Sequence, residues 1–283
     1  MLSLQSFDDS RVRLITEQNQ GICKARNNGI RAAKADYIMF CDHDDEYELG
    51  YLSDVAAEIE ASDADMIKFG CIERYICNGE MYREHTISLP AREYEKNQVR
   101  EFLYLYTNDN EYIWDGVYRK TLIEECGMFD PFYKAGCEDI DLLIKMASKA
   151  NRIKSVNKIE YIHNIRNDFS TSRKFAEITY QSVIRTTAMR LESVDTKSPE
   201  YPQYVYNKNL MMVWALLGMF SFQTCHLSRK EMVARFKNAS QKVPFMKTKR
   251  GRISTKSNVM WLYAKKKYGI LADICLLKRR LGK

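Results

Sequence analysis

No stretch of the 283-residue sequence approaches the roughly 18 consecutive apolar residues that a bilayer-spanning helix needs. Met1 is followed by neither a basic segment nor a long apolar core, so no secretory signal is read there. The eight cysteines form no C-x-x-C pair, and several sit inside apolar runs where a free thiol behaves as a small hydrophobe. That usage points to a reduced, cytosolic chain. No nucleic-acid motif accompanies the basic residues, and Tyr263 and Tyr268 form no recognisable stacking platform, which sets nucleic acid aside as a partner.

What the sequence does contain is an ordinary globular composition, 45% apolar and 29% charged, long enough for one large domain with an appendage. The net charge of +7 is unevenly spread. From Arg229 onward seventeen Lys and Arg face two acids, Glu231 and Asp273, so the first 228 residues carry a net −8.

The acidic body is organised around Tyr37-Ile38-Met39-Phe40-Cys41-Asp42-His43-Asp44-Asp45, an apolar run ending in three carboxylates. The run reads as a buried strand delivering Asp42, Asp44 and Asp45 at its C-terminal mouth, where open α/β sheets bind ligands. Clustered carboxylates suit a hard divalent metal, although a solvated acidic turn has the same composition. A calcium loop starting at Asp42 is excluded, because Tyr47 stands where glycine is needed and Ser53 where glutamate is needed.

Ahead of this stretch, Val12-Arg13-Leu14-Ile15 predicts a short strand and Gln18 to Gly21 a turn, and Ile22, Ala25, Gly29, Ile30 and Ala33 have helical spacing. Strand, helix, strand over this length is the parallel βαβ pattern. Behind it come a second helix over Leu49 to Ile59, a strand over Met66 to Tyr75 turning at Asn78-Gly79, and a helical pattern over Glu93 to Tyr106. Glu138 and Asp139 fall at the first turn of a helix, where acids serve either the helix dipole or a general base. Glu160 to Arg166 reads as a strand entering a polar loop, Asn167 to Ser172, with His163 a secondary site candidate. Past Phe175 the pattern is helical. Leu210 to Phe222 is too short to span a membrane, and the last segment places Ile270, Ile274, Leu277 and Leu281 on one face beside Lys278, Arg279 and Arg280. Such a helix suits either an anionic membrane surface or packing onto the body.

Taken together, Asn19-Gln20-Gly21, Ala25-Arg26-Asn27-Asn28-Gly29, Ala35 to Phe40, Asp42-His43-Asp44-Asp45, Trp114 to Lys120, Gly136-Cys137-Glu138-Asp139 and Tyr161-Ile162-His163 with Arg166 and Ser170 resemble, in order and spacing, family 2 glycosyltransferases. The resemblance implies an α/β GT-A fold, Rossmann-like with a mainly parallel sheet. It also implies transfer of a sugar, with inversion, from a nucleotide-diphosphate donor, a UDP-sugar foremost, to a saccharide or lipid-linked acceptor in surface polysaccharide synthesis. By the same resemblance Asp42 and Asp44 hold Mn²⁺ or Mg²⁺, Asp139 is the base and Glu138 its partner. Arg26, Asn27, Asp42, Asp45, Trp114, His163 and Arg166 then meet the substrates.

The family ordinarily begins with further nucleotide-binding strands, so the chain reads as shortened at its N-terminus relative to the family. This leaves an inactive binding module as the alternative to a working enzyme. The expected division is a glycosyltransferase domain over 1–175 and a helical region over 176–283 whose basic tail meets the inner face of the plasma membrane.

Overall fold

The computed structural model describes residues 9–96, 98, 111–134, 136–166, 175–245 and 255–282. The polar loop Asn167 to Ser172 and nearly all of the segment after Lys96 up to Tyr106 lie outside them.

Helix α1 (Ile22–Ala32) follows Gly21, whose φ of 90° opens the turn expected there. It leads into strand β1 (Tyr37–Met39), and the chain then returns through β2 (Glu46–Tyr47) and α2 (Tyr51–Ser62). Strands β3 (Met66–Cys77) and β4 (Glu80–Ile87) form a hairpin whose turn uses Asn78 and Gly79, both at positive φ. Next come β5 (Arg92–Glu95), β6 (Gly116–Arg119), α3 (Lys120–Glu125), α4 (Glu138–Lys149) and the long β7 (Arg152–Arg166).

The strands make one sheet in the order β1-β6-β3-β7-β2, with β4 added to β3 and β5 to β7. Two expectations change here. Of the described pairings only β3 with β7 is parallel, so the sheet is mixed and largely antiparallel. The hairpin and the short returns explain this, since only a long crossover such as the helical passage through α4 brings a strand back parallel. Val12 to Ile15 is not a strand: its apolar side chains are exposed, and it has no partner strand among the described residues, without which extended backbone does not become sheet. The helix read from Glu93 likewise begins as strand β5, because Arg92 to Glu95 pair with β7 from Ser155 to Arg152.

Beyond residue 175 the helices are α5 (Glu177–Glu192), α6 (Tyr201–Ser221), α7 (Arg229–Lys242), α8 (Thr255–Ala264) and α9 (Tyr268–Arg280). Ser228 and Glu231 close a capping box at the start of α7. One apolar core runs from Ile38 and Tyr118 through Leu142 and Met146 to Leu216, Phe236 and Leu271, so α5–α9 share their packing with the sheet. A polar knot adds to the join: Glu111 accepts hydrogen bonds from Arg190 Nε of α5 at 2.8 Å and Lys208 Nζ of α6 at 3.1 Å.

The middle of the sheet holds a fully buried ion pair. Lys68 of β3 meets Asp115, just before β6, and also donates to the Tyr112 carbonyl at 2.6 Å and the Tyr118 hydroxyl at 3.1 Å. Burial lowers the Lys68 pKa and pushes that of Asp115 up to about 7, each against the pull of its partner. Gly116 makes room for the pair, because a Cβ there would lie 2.8 Å from Lys68 Cδ and 2.7 Å from the Ile67 carbonyl. Removing one partner strands the other charge in the core. Lys68→Met is therefore expected to cost about 3–5 kcal/mol in urea unfolding, and Lys68→Met with Asp115→Leu to recover most of that loss; a single-site cost below about 1 kcal/mol would contradict this account.

Candidate active site

Arg26 is placed by α1 with its guanidinium edge-on to three carboxylates. Its Nη1 donates to Asp139 Oδ1 at 2.5 Å and Glu138 Oε1 at 3.3 Å, while Nη2 donates to Asp42 Oδ1 at 2.9 Å. The guanidinium carbon lies 5.2 Å from the centre of the Phe129 ring. Residues far apart in sequence and named there as a site, Arg26, Asp42, Glu138 and Asp139, are thus brought together.

Gly136 and Cys137 aim the two α4 carboxylates. Both have positive φ, 89° and 73°, so the chain turns sharply before Glu138 begins the helix. Cys137 holds this left-handed conformation without glycine's freedom, a strained arrangement that the surrounding packing enforces. The Asp139 side chain is 16% exposed. Burial pushes its pKa up to about 7, with Arg26 pulling it down and Glu138 and Asp42 pushing it further up. Glu138 is more deeply buried, and its Oε2 has no hydrogen-bond partner among the described residues.

The acidic loop after β1 is fastened to β7. The Tyr161 hydroxyl donates to Asp45 Oδ2 at 2.7 Å and accepts from the Asp42 amide at 3.1 Å. Asn164 donates its backbone N–H to Asp45 Oδ1 at 2.8 Å and its side-chain amide to the Asp44 carbonyl at 2.8 Å. Both Asp45 oxygens accept these bonds, which fasten the loop to β7. The carboxylates of Asp42 and Asp44 each remain 37% exposed.

Trp114 lies behind the loop, stacked at 4.3 Å on Tyr161 and at 4.4 Å on Tyr112, with the His163 ring 5.0 Å away. His163 Nδ1 is buried and has no hydrogen-bond partner among the described residues. Arg166 is exposed at the end of β7. Asn27 is not at the mouth: it is buried, and its amide donates to the Phe129 carbonyl at 2.8 Å and accepts from the Phe129 N–H at 2.9 Å. Its place after Arg26 is explained by that clamp, which fixes α1 against the segment leading to α4.

Among the described residues no three His, Cys, Asp or Glu side chains converge as a ready-made metal centre. Asp42 and Asp44 nevertheless fit a substrate-borne divalent ion. Mg²⁺ and ions of its kind commonly take one or two carboxylates and complete their shell with phosphate oxygens and water, and these two carboxylates are hard donors open to solvent.

Residues 2–126 match the family model described as Glycosyl transferase family 2. Over that segment the chain is similar to glycosyl transferase family 2. The uncharacterized glycosyltransferase EpsJ of Bacillus subtilis (strain 168) is 26% identical over 161 residues, 55% of this chain and 45% of EpsJ. The chain therefore spans less than half the length of that relative. The putative colanic acid biosynthesis glycosyl transferase WcaA of Escherichia coli K12 is 24% identical over 221 residues, 75% of this chain and 74% of WcaA. Among solved structures, S. aureus TarS 1–349 in complex with UDP-GlcNAc superposes with a TM-score of 0.59 at 18% identity, covering 92% of this chain and 70% of that one. The fold of this chain is thus the GT-A architecture expected from its motifs.

The sequence alone did not single out Tyr161 and Asn164 as fasteners, nor Lys68 and Asp115 beneath the aromatic stack. A lysine inside the apolar run Met66 to Gly70 was the available signal, since a buried ammonium requires a carboxylate nearby.

The arrangement around Asp139 can be tested by carboxyl ¹³C NMR across pH. The Asp139 resonance is expected to titrate near 7. Arg26→Gln removes the cation that favours the ionised form and moves the midpoint up, whereas Glu138→Gln removes a neighbouring anion and moves it down. A midpoint that stays put in both variants would contradict the contacts described.

Proposed function

We propose that this glycosyltransferase moves a hexose, with inversion, from a nucleotide-diphosphate donor to the hydroxyl of a saccharide or lipid-linked acceptor in surface polysaccharide synthesis. The observation that carries this reading is the convergence of Asp139, Glu138 and Asp42 on one guanidinium, with Asp139 partly accessible and poised near neutrality. UDP is the favoured donor nucleotide, in keeping with the UDP-GlcNAc held by the similarly folded TarS. The name of WcaA supports a polysaccharide product.

In this mechanism Asp139 takes the proton of the acceptor hydroxyl as its oxygen bonds to the anomeric carbon from the face opposite the leaving group. The bond from that carbon to the diphosphate oxygen breaks, and its electron pair departs with the nucleotide diphosphate. A base with a pKa near the working pH suits this step, being about half ionised at rest yet basic enough to accept the proton. Glu138, which shares the Arg26 guanidinium with Asp139, is assigned as the partner that orients the base.

Asp42 and Asp44 would hold Mn²⁺ or Mg²⁺, which supplies charge neutralisation to the departing diphosphate. Arg26 adds a fixed cation beside the same carboxylates. His163 and Arg166, at the end of β7, are assigned to the diphosphate, and Trp114 to the wall that supports the donor side through Tyr161. None of the described helices is long and apolar enough to cross a membrane. A lipid-linked acceptor would be met by peripheral contact at the inner face of the plasma membrane.

Asp139→Asn is expected to lower nucleotide-sugar turnover by about 10²–10⁴-fold while leaving UDP binding by calorimetry within a few-fold of the parent. Asp44→Ala should instead remove the Mn²⁺-dependent part of UDP binding. Turnover that survives Asp139→Asn would overturn the assignment of the base, and micromolar UDP binding with no turnover of any nucleotide sugar would favour a binding module.

A further inference from the structure

Helix α9 is apolar on two sides. Tyr268, Leu271, Ala272 and Cys275 are buried, and Arg279 reaches back to donate to the Phe220 carbonyl at 2.8 Å and the Leu227 carbonyl at 3.2 Å. These contacts fix the helix to the body by the face that the sequence pattern did not emphasise. Ile270, Leu277 and Leu281 consequently point outward, while Ile274 between them is half-buried against the core. On the adjoining helix α6, Met211 and Trp214 also face solvent, and the Lys278 ammonium of α9 lies 5.8 Å from the Trp214 ring centre, joining the two stripes. Ile270, Leu277, Leu281, Met211 and Trp214 are 40–60% exposed.

Large apolar side chains gathered in this way mark an interaction surface. Its surroundings specify the partner. Lys265, Lys266 and Lys267 are exposed just before α9, and Lys278 and Arg280 are exposed near its end, so the apolar stripe is bracketed by cations. The region from Arg229 onward contains only two acids, and one of them, Asp273, is paired with Arg229 at 2.7 Å. A protein partner would have to bring a matching acidic rim around an apolar centre. A bilayer with anionic headgroups presents that combination everywhere: negative charge at the surface and hydrocarbon a few ångströms below it. Thirteen residues of helix extend about 20 Å, long enough to lie along the surface and, by length and charge, unsuited to crossing it. Tryptophan with a cation on its face is well matched to the headgroup boundary.

We propose that the outward face of α9, together with Met211 and Trp214 of α6, seats this glycosyltransferase on an anionic lipid surface. The proposal deepens the reading that the enzyme works at the inner face of the plasma membrane, and it can fail without touching the transfer chemistry.

The test is flotation of the full 283-residue chain with vesicles of phosphatidylglycerol and phosphatidylcholine, in parallel with vesicles of phosphatidylcholine alone. Binding to the anionic vesicles is expected, at least tenfold stronger than to the neutral ones and weakened by salt. Ile270→Asp with Leu277→Asp should reduce it tenfold or more, as should Lys278→Glu with Arg280→Glu. All four sites are exposed, and unchanged circular dichroism with unchanged UDP binding by calorimetry would show that fold and donor site survive.

No flotation with anionic vesicles, or flotation indifferent to both double variants, overturns the proposal. So does a dimer in light scattering that the Ile270→Asp/Leu277→Asp variant dissolves, because the face would then belong to a second copy. Failure of the sugar-transfer reading would appear separately, as absence of UDP binding or turnover in the lipid-free protein.

Discussion

The site depends on one guanidinium. Asp42, Glu138 and Asp139 come from a loop after β1 and from the start of α4, and as like charges they would not gather in a partly buried cleft unaided. Arg26 makes the gathering favourable, and its geometry matters as much as its charge. A planar fork with separated N–H groups can address Asp42 with one nitrogen and the α4 pair with the other, which a lysine ammonium on a flexible stem does less well. The same contact sets the chemistry. Burial alone would drive the Asp139 pKa further up; Arg26 opposes that, and the balance near neutrality suits the base proposed above.

A second constraint frees the metal-ligand candidates to act. An exposed acidic loop would sample many conformations, and holding it usually occupies its own side chains. Here β7 does the holding through Tyr161 and Asn164, and only Asp45 is consumed by it. The aromatic stack behind Tyr161 and the buried Lys68–Asp115 pair stiffen that arrangement from below. A buried ion pair contributes little net stability compared with a well-packed apolar pair. Its value here is positional: Asp115 adjoins Trp114, and Lys68 also binds the Tyr112 carbonyl, so both stacked rings are anchored at the backbone.

Much of this was legible in the sequence because the motifs report backbone events. The apolar run ending in Asp42 gave β1 and its acidic mouth, Asn78-Gly79 gave the hairpin, and acids at the head of a periodic segment gave α4. Strand direction was not legible, since parallel and antiparallel partners impose similar side-chain patterns on a buried strand and only the connections distinguish them. Val12 to Ile15 has the composition of a strand yet no strand beside it, showing that β-propensity describes a fit to neighbours and not a property of the segment. Asn27 looked like a substrate contact because it follows Arg26, but one step along a helix turns a side chain by about 100°, which carries Asn27 toward Phe129 and into the core. The outward stripe of α9 was visible as a pattern; that a different face packs could be learned only from the fold, because all sides of this helix except a short charged sector offer apolar side chains.

The first 228 residues and the last 55 have opposite net charge, and one of the described ion pairs between them joins Arg235 to Glu177. The acidic part gathers Asp42, Glu138 and Asp139 around Arg26, while the basic excess lies beyond residue 228. A docking surface on a loosely tethered domain would leave the orientation of the site undefined. In this molecule a single apolar core extends from Ile38 and Tyr118 to Leu271 and Cys275, and Glu111 ties the helices to the segment just before Trp114. Whatever α9 rests on therefore also fixes the direction in which Asp139 faces. Under the proposed function, with the acceptor held at a surface, that fixed orientation turns a diffuse affinity for the surface into repeated presentation of the acceptor hydroxyl to the proposed base, which is where positioning yields its largest gains.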